Sequence, residues 1–300
     1  MYNKIKIVIL VLFSLSLISN TLNADDSKDL DSFIDSVLSA KNYDKTRLES
    51  YNDVHRKRYK FTLEFMKQNL PTPKNKDFSV LEIGLYLPLN IEYLLKFNNI
   101  QVFDAVGGNP FSNEKYSSQL TTSKLSNGQN LKIMNVDIQN EMLPYKKEQF
   151  DLVMLFEVLE HLPVDPMYTM AEINRVTKMN GLVILSTPNI TSYKALYNIF
   201  TGHAPYLFGV YKNPRSSDRH NHEWSPLELK FFMKDAGFEI VSFETTNCYE
   251  EAEPGFAEKM KSVGVYDNDR GDTIILLAKK VSSIVNRFPP YIYYGAEEKK

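Results

Sequence analysis

The chain has a single cysteine, Cys248, among its 300 residues, so neither an internal disulfide nor a cysteine-rich metal cluster is available to it. Tryptophan also occurs once, at Trp224, and histidine only five times. Neither sign of charge dominates: 35 Lys+Arg against 37 Asp+Glu leave a net charge of −2. That balance gives no basic field for nucleic acid or an anionic membrane surface. Long apolar runs are missing apart from residues 7–18, a run shorter than the ~20 residues that span a bilayer comfortably. What is present, 43% hydrophobic and 12% aromatic residues, suffices for one sizeable core with a small appendage.

The short apolar run has an orientation. Lys4 and Lys6 precede it, and Leu22-Asn23-Ala24 followed by Asp25-Asp26 closes it, the outline of a secretory signal peptide whose cleavage site is imperfect because Leu22 is large. Residues 1–24 are therefore expected to be a signal peptide or, uncleaved, an anchor and the sole membrane contact. Basic residues before the run and acidic ones after it place the body outside the cytoplasm; a cytoplasmic location stays open.

The most informative stretch is residues 150–189, FDLVMLFEVLEHLPVDPMYTMAEINRVTKMNGLVILSTPN. Residues 152–156 are a short apolar run, the pattern of a strand buried on both faces. It gives way to the polar Glu157, Glu160 and His161. Asp165 and Pro166 predict the N-cap and first position of a helix with Met167, Met170, Ile173 and Val176 on one face. Asn180-Gly181 is expected to stop that helix before a second buried strand, residues 182–185, that runs out in Ser-Thr-Pro-Asn. Two apolar strands joined by a helix predict a parallel βαβ unit, with polar groups at the strand ends where open α/β sheets bind ligands.

FDLV…EVLEHL followed by GLVILSTPN resembles the middle of a class I S-adenosylmethionine-dependent methyltransferase, most of all the small-molecule and glycan-modifying branch. The resemblance covers residues 78–280. It implies a Rossmann-like doubly wound α/β sheet, mostly parallel with an antiparallel edge strand, and S-adenosyl-L-methionine as cofactor. It further implies methyl transfer to oxygen or nitrogen on a small molecule, sugar or lipid-linked glycan. Ahead of this domain (residues 77–280), residues 25–76 carry apolar residues at helical spacing (Phe33, Ile34, Val37, then Phe61, Phe65 and Met66) and end in a proline-bearing linker. They are expected to form a helical N-terminal extension packed on the larger body, and residues 281–300 a tail.

The resemblance also assigns roles. Glu82 and Gly84, ending the strand Ser79-Val-Leu-Glu-Ile-Gly84, match the family's first motif, in which an acid faces the methionyl part of the cofactor and glycines let the backbone approach it. Where the family has further glycines this chain has Tyr86 and Pro88, whose side chains narrow that approach. Asp104, closing a strand at residues 100–103, is the candidate for the ribose hydroxyls, which two carboxylate oxygens can receive; sliding the register by three residues puts Gly107 there instead. Asp137, after a strand at residues 131–136, and the backbone of Ile138 correspond to the adenine-binding pair. Glu157 lies beside the methyl group, and His161 is the candidate base or acceptor-positioning group.

The segment Arg219-His-Asn-His-Glu-Trp224 precedes a capping box at Ser225 and Glu228 and resembles the family's acceptor side, which makes His220, His222 and Trp224 candidate substrate-binding residues. Glu157, Glu160 and His161 offer metal-ligand atoms but no further ligand at a diagnostic spacing. His220 and His222 supply only one side of a tetrahedral shell, so no metal site is assigned. Residues 111–129 are expected to be a partly helical connection, and residues 238–245 and 273–278 an antiparallel pair at the sheet edge. The rival expectation is a non-catalytic binding protein that kept the fold and lost the cofactor, favoured by Tyr86, Pro88 and the apparent export signal.

Overall fold

The computed structural model describes residues 24–39, 45–73, 77–107, 120–206, 208, 219–265 and 268–293; the apolar leader expected at residues 1–24 lies, but for its last residue, outside them. Among the described residues no helix is long and apolar enough to cross a membrane. The sequence orders itself as α1 (Ala24–Leu38), α2 (Lys45–Asn69), β1 (Ser79–Ile83), α3 (Leu89–Phe97), β2 (Val102–Val106), β3 (Leu120–Lys124), β4 (Asn130–Met134) and β5 (Phe150–Phe156). A 3₁₀ turn (Leu159–His161), α4 (Pro166–Val176), β6 (Thr177–Pro188), α5 (Tyr193–Phe200) and α6 (Pro226–Asp235) follow. The chain continues with β7 (Phe238–Thr246), α7 (Phe256–Ser262), β8 (Thr273–Lys280) and α8 (Pro290–Tyr293).

The strands form one sheet in the order β3-β4-β2-β1-β5-β6-β8-β7. β4, β2, β1, β5 and β6 are mutually parallel, while β3 closes one edge and β8 with β7 the other, all antiparallel. From β1 the chain steps outward through β2 to β4, then returns to the other side of β1 at β5. The switch point therefore falls between β1 and β5, where a doubly wound sheet opens its ligand crevice.

Both faces of the sheet are covered, which is why its central strands carry apolar residues on both sides. One core layer joins Leu30, Phe33 and Ile34 of α1 and Leu63, Phe65 and Met66 of α2 to Val80, Leu152 and Ile184. The other joins Met167, Met170 and Ile173 of α4 and Leu229 and Phe232 of α6 to Leu81, Val153 and Leu185. The helix starts follow their local chemistry. The Asp165 side chain accepts from Tyr168 N, with proline at the first helical positions, and Ser225 and Glu228 form the reciprocal capping box.

Three boundaries differ from expectation. α4 ends at Val176 and β6 begins at once at Thr177; Asn180, at φ 65°, belongs to an irregularity within the strand rather than to a helix stop, and the pairing with β5 shifts register between Phe150 and Leu152. The edge strand β3 occupies part of the stretch expected to be partly helical, because its hairpin with β4 satisfies backbone groups that its polar sequence does not advertise; residues 108–119 lie outside the described ones. β2 starts two residues later than the apolar pattern suggests, since Ile100 is buried outside the sheet, its N–H donating to Leu94 O at the end of α3.

Candidate active site

The five parallel strands deliver their last residues to one edge of the sheet. At β1, Glu82 is 4% exposed. Its Oε1 accepts a hydrogen bond from Asn90 Nδ2 of α3 at 2.8 Å, whereas Oε2 is buried with no hydrogen-bond partner. Burial pushes the carboxyl up to about 8, against the opposing Asn90 bond. Gly84 turns the chain at φ 78°, its N–H donating to Val106 O at 2.8 Å. A Cβ there would stand 2.2 Å from Val158 Cγ2, so this glycine is required by the close approach of the segment after β5. The residues that follow are crowded: Leu85 and Leu87 are buried in the core, Tyr86 packs against it, and Pro88 is the N-cap of α3.

β2 places the ribose candidate inside the strand. Asp104 pairs with Leu81 in mid-strand, two residues short of the strand's end, and burial raises its carboxyl. The end itself belongs to Gly107, whose N–H donates to Met134 O at 3.0 Å and where a Cβ would meet Leu85 O at 2.8 Å. At the mouth of β4, Asp137 folds onto its own turn: Oδ1 accepts from Gln139 N at 3.1 Å and Oδ2 from Asn140 Nδ2 at 2.8 Å. Each oxygen keeps a second lone pair. The carbonyl of Ile138 accepts from Thr169 Oγ1 at 2.9 Å, which ties this turn to α4.

The polar groups converge after β5. Glu157 has φ 53°, an unusual backbone for a residue with a side chain. It is held by Ser186, whose O accepts from Glu157 N at 3.0 Å and whose Oγ donates to Glu157 Oε1 at 2.6 Å. Glu157 Oε2 lies 4.0 Å from Nε of Arg58. Arg58, buried on α2, is a site residue that sequence reasoning missed; the signal was a cation one helical turn before the core-facing run of Thr62, Phe65 and Met66. Glu160 is fully buried, with Oε2 accepting from Thr187 Oγ1 at 3.1 Å and Oε1 without a hydrogen bond. Burial first, and the neighbouring Glu157 second, raise its carboxyl well above the ordinary range.

The segment expected on the acceptor side docks on this turn. Asn221 N and His222 N both donate to Glu160 O, at 2.8 and 3.2 Å, and Asn221 Nδ2 donates to His161 O at 2.8 Å. His161 Nδ1 sits 3.0 Å from Arg219 O. His220 Nδ1 sits 2.9 Å from Glu223 Oε1, and the two imidazoles meet edge to face at 4.8 Å. The predicted trio thus divides. His220 joins His161 and Glu160, while His222 bonds Glu228 of α6 at 3.0 Å and Trp224 is buried against Phe232 of the same helix. Cys248 is buried, and burial pushes its thiol up to about 12, which removes it from nucleophilic chemistry. A groove of about 710 Å³ lies between α1, α3 and the β3–β4 turn, walled by Phe33, Val37, Pro88, Leu95 and Lys96.

A methyltransferase-domain family matches residues 54–243, a span reaching from α2 into β7. Among solved structures, a SAM-dependent methyltransferase from Archaeoglobus fulgidus is similar at 19% identity, covering 77% of this chain and 99% of that one with a TM-score of 0.49. A SAM-dependent methyltransferase from Thermotoga maritima is similar at 18% identity over 78% of this chain and 95% of its own, TM-score 0.47. One from Aquifex aeolicus is similar at 11% identity over 80% and 100%, TM-score 0.46. No curated protein sequence matches. With a family match over more than half of its length and the βαβ unit of residues 150–189 at the centre of its sheet, the chain belongs to the methyltransferase-domain family, as its class I S-adenosylmethionine-dependent resemblance implies.

Proposed function

We propose that the chain binds S-adenosylmethionine at the edge where β1, β4 and β5 end and transfers its methyl group to an oxygen or nitrogen acceptor on a small molecule, sugar or lipid-linked glycan. The observation that carries this reading is Glu82: a buried carboxyl at the switch point with one oxygen lacking any donor. Such a group is costly unless something donates to it, and the ammonium of the methionyl moiety is a donor of the right charge. Asp137 and Ile138 would hold the adenine end and Gly84 the close approach at the first turn; Gly107 supplies no carboxylate for the ribose. Bound there, the cofactor supplies an electrophilic methyl group on a sulfonium sulfur.

The chain's own contribution is placement and proton handling. The Arg219 carbonyl can only accept, so His161 must donate from Nδ1, which in the neutral ring leaves the lone pair on Nε2. That nitrogen is poised to take the proton of an acceptor hydroxyl as it is methylated. The near-neutral charge of the chain, −2, supports a small acceptor over a polyanion.

A second reading, a binding protein without catalysis, is supported by the buried Leu85 and Leu87 and by Gly107 at the ribose position. Calorimetric titration with S-adenosylmethionine separates the two. Micromolar affinity that Asp137→Ala weakens by about tenfold, the worth of one or two hydrogen bonds, supports the enzyme; no heat at millimolar cofactor supports the binder.

A further inference from the structure

We propose that Glu160, His161 and His220 form a mononuclear site for a divalent first-row transition-metal ion such as Zn²⁺, Mn²⁺ or Co²⁺. One ligand atom from each of the three lies within 4.8 Å of those from the other two. Nitrogen and oxygen ligands about 2.1 Å from one ion stand roughly 3–4 Å apart, so small side-chain rotations of about 1 Å close the shell.

The hydrogen bonding around the trio selects a metal over a simple polar cluster. His161 Nδ1 faces the carbonyl of Arg219, an obligate acceptor, and His220 Nδ1 faces the carboxylate of the buried Glu223. Both neutral rings therefore carry the proton on Nδ1 and the lone pair on Nε2, with carbonyl and carboxylate partners of the kind that orient metal-binding histidines. Glu160 Oε1, fully buried and without a hydrogen bond, sits 3.7 Å from His161 Nε2. That separation is too long for a hydrogen bond and is the spacing two ligands of one ion adopt. A buried carboxyl oxygen without a hydrogen bond is costly, and a cation bound beside it would offset that cost.

The scaffold is built rather than incidental. Three hydrogen bonds from Asn221 and His222 to the carbonyls of Glu160 and His161 fix the segment bearing His220 against the 3₁₀ turn. Two histidines and one carboxylate on one side of an ion leave its remaining positions for water or substrate oxygen. Placed beside the proposed methyl-transfer site, the ion would lower the pKa of an acceptor hydroxyl, whose proton would pass to solvent water, so that His161 would serve as a ligand in place of a base. This role rests on the methyl-transfer reading; the metal site does not.

The test is titration of the chelator-stripped full-length chain with Co²⁺, without S-adenosylmethionine, followed by calorimetry and visible absorption. One equivalent is expected to bind at micromolar affinity or tighter, with ligand-field bands. His220→Ala is expected to abolish the bands and weaken binding by about 100-fold or more, and Glu223→Gln by roughly 10–100-fold; His203→Ala, an exposed histidine beside Thr201 and outside the trio, leaves both unchanged. Circular dichroism of each variant confirms folding, and Glu223→Gln, which keeps shape and touches no ion, carries the test if His220→Ala fails to fold. Absence of binding below millimolar Co²⁺, or one-equivalent binding that survives both His220→Ala and Glu223→Gln, overturns the site.

Discussion

If Glu82 receives a cationic amine, cofactor binding must expel a proton. Burial pushes the carboxyl up to about 8, a value at which about 90% of it is protonated at pH 7. An ammonium against Oε2 stabilises the ionised form; counting the α-amine, which must be protonated to bind, the bound complex is expected to release about 0.8 proton at pH 7 and to take up about 0.8 at pH 9. Affinity should rise by up to about tenfold per pH unit towards pH 8 and then fall as the α-amine, with its ordinary pKa of about 7.7–8.0, loses its own proton. Calorimetry at pH 7 in buffers of small and large ionisation enthalpy reads the release directly, as a difference in apparent heat proportional to the protons exchanged. Glu82→Gln keeps an acceptor for Asn90 and should erase that difference. Equal heats in both buffers for the parent chain, or an undiminished difference in Glu82→Gln, would refute the assignment of this carboxyl to the methionyl end. The same residue makes a stability prediction. The unfolded carboxyl loses its proton near 4.5 and the folded one near 8, so stability falls as pH rises through that window and levels off above it. The span corresponds to about 5 kcal/mol as an order of magnitude, and Glu82→Gln should be the more stable chain at pH 8 by chemical denaturation, with little difference at pH 4.

Two further predictions concern the frame around the site. Gly84→Ala places a Cβ in a left-handed backbone and against Val158; a loss of about 2–4 kcal/mol is expected, and an unchanged urea midpoint would contradict the geometry. Asp165 caps α4 through Tyr168 N at 2.9 Å, binds Arg287 through both oxygens at 3.0 and 2.6 Å, and accepts from the Tyr293 hydroxyl. Burial would raise its carboxyl, but these donors hold it below the ordinary 3.8. Its contribution is therefore present above that value and is lost as pH falls through the lowered one. Asp165→Ala should cost about 2 kcal/mol from the cap and the half-exposed ion pair, visible as a melting temperature lower by about 4–8 °C at pH 7 and as a smaller difference at pH 3.

Features set by neighbours in sequence were legible in the chain. Asp165-Pro166 and Ser225 with Glu228 state helix starts in their own side chains, and the apolar runs of β5 and β6 with a helix between them leave little choice but a parallel pair. Features set by pairing were not. β3 is a polar strand whose only reason to be extended is β4. Asp104 sits inside a strand because the register with β1 is decided by burial of Ala105 and Val106, and an acid in mid-strand looks from the sequence like a strand's end. Asn180-Gly181 looks like a helix stop for the same reason: a positive φ serves a C-cap and a strand irregularity equally. At the site, Glu157 and His161 announce themselves by following an apolar run. Arg58 and His220 arrive from distant parts of the chain, and only the folded sheet shows which of the histidines at positions 220 and 222 faces inward.

Trp224 is the sole indole of the chain and lies where the last loop of the parallel sheet is sewn to the histidine-bearing segment. Asn189 bridges it in parallel fashion, Ile190 N donates to its carbonyl at 3.2 Å, and its ring packs between His222 and Phe232. Nature has thus installed a built-in optical probe at that seam. Its emission, uncontaminated by any second indole, reports on the packing of that seam, so a shift in it on adding acceptor or ion is the expected optical signature of binding on the unlabelled protein.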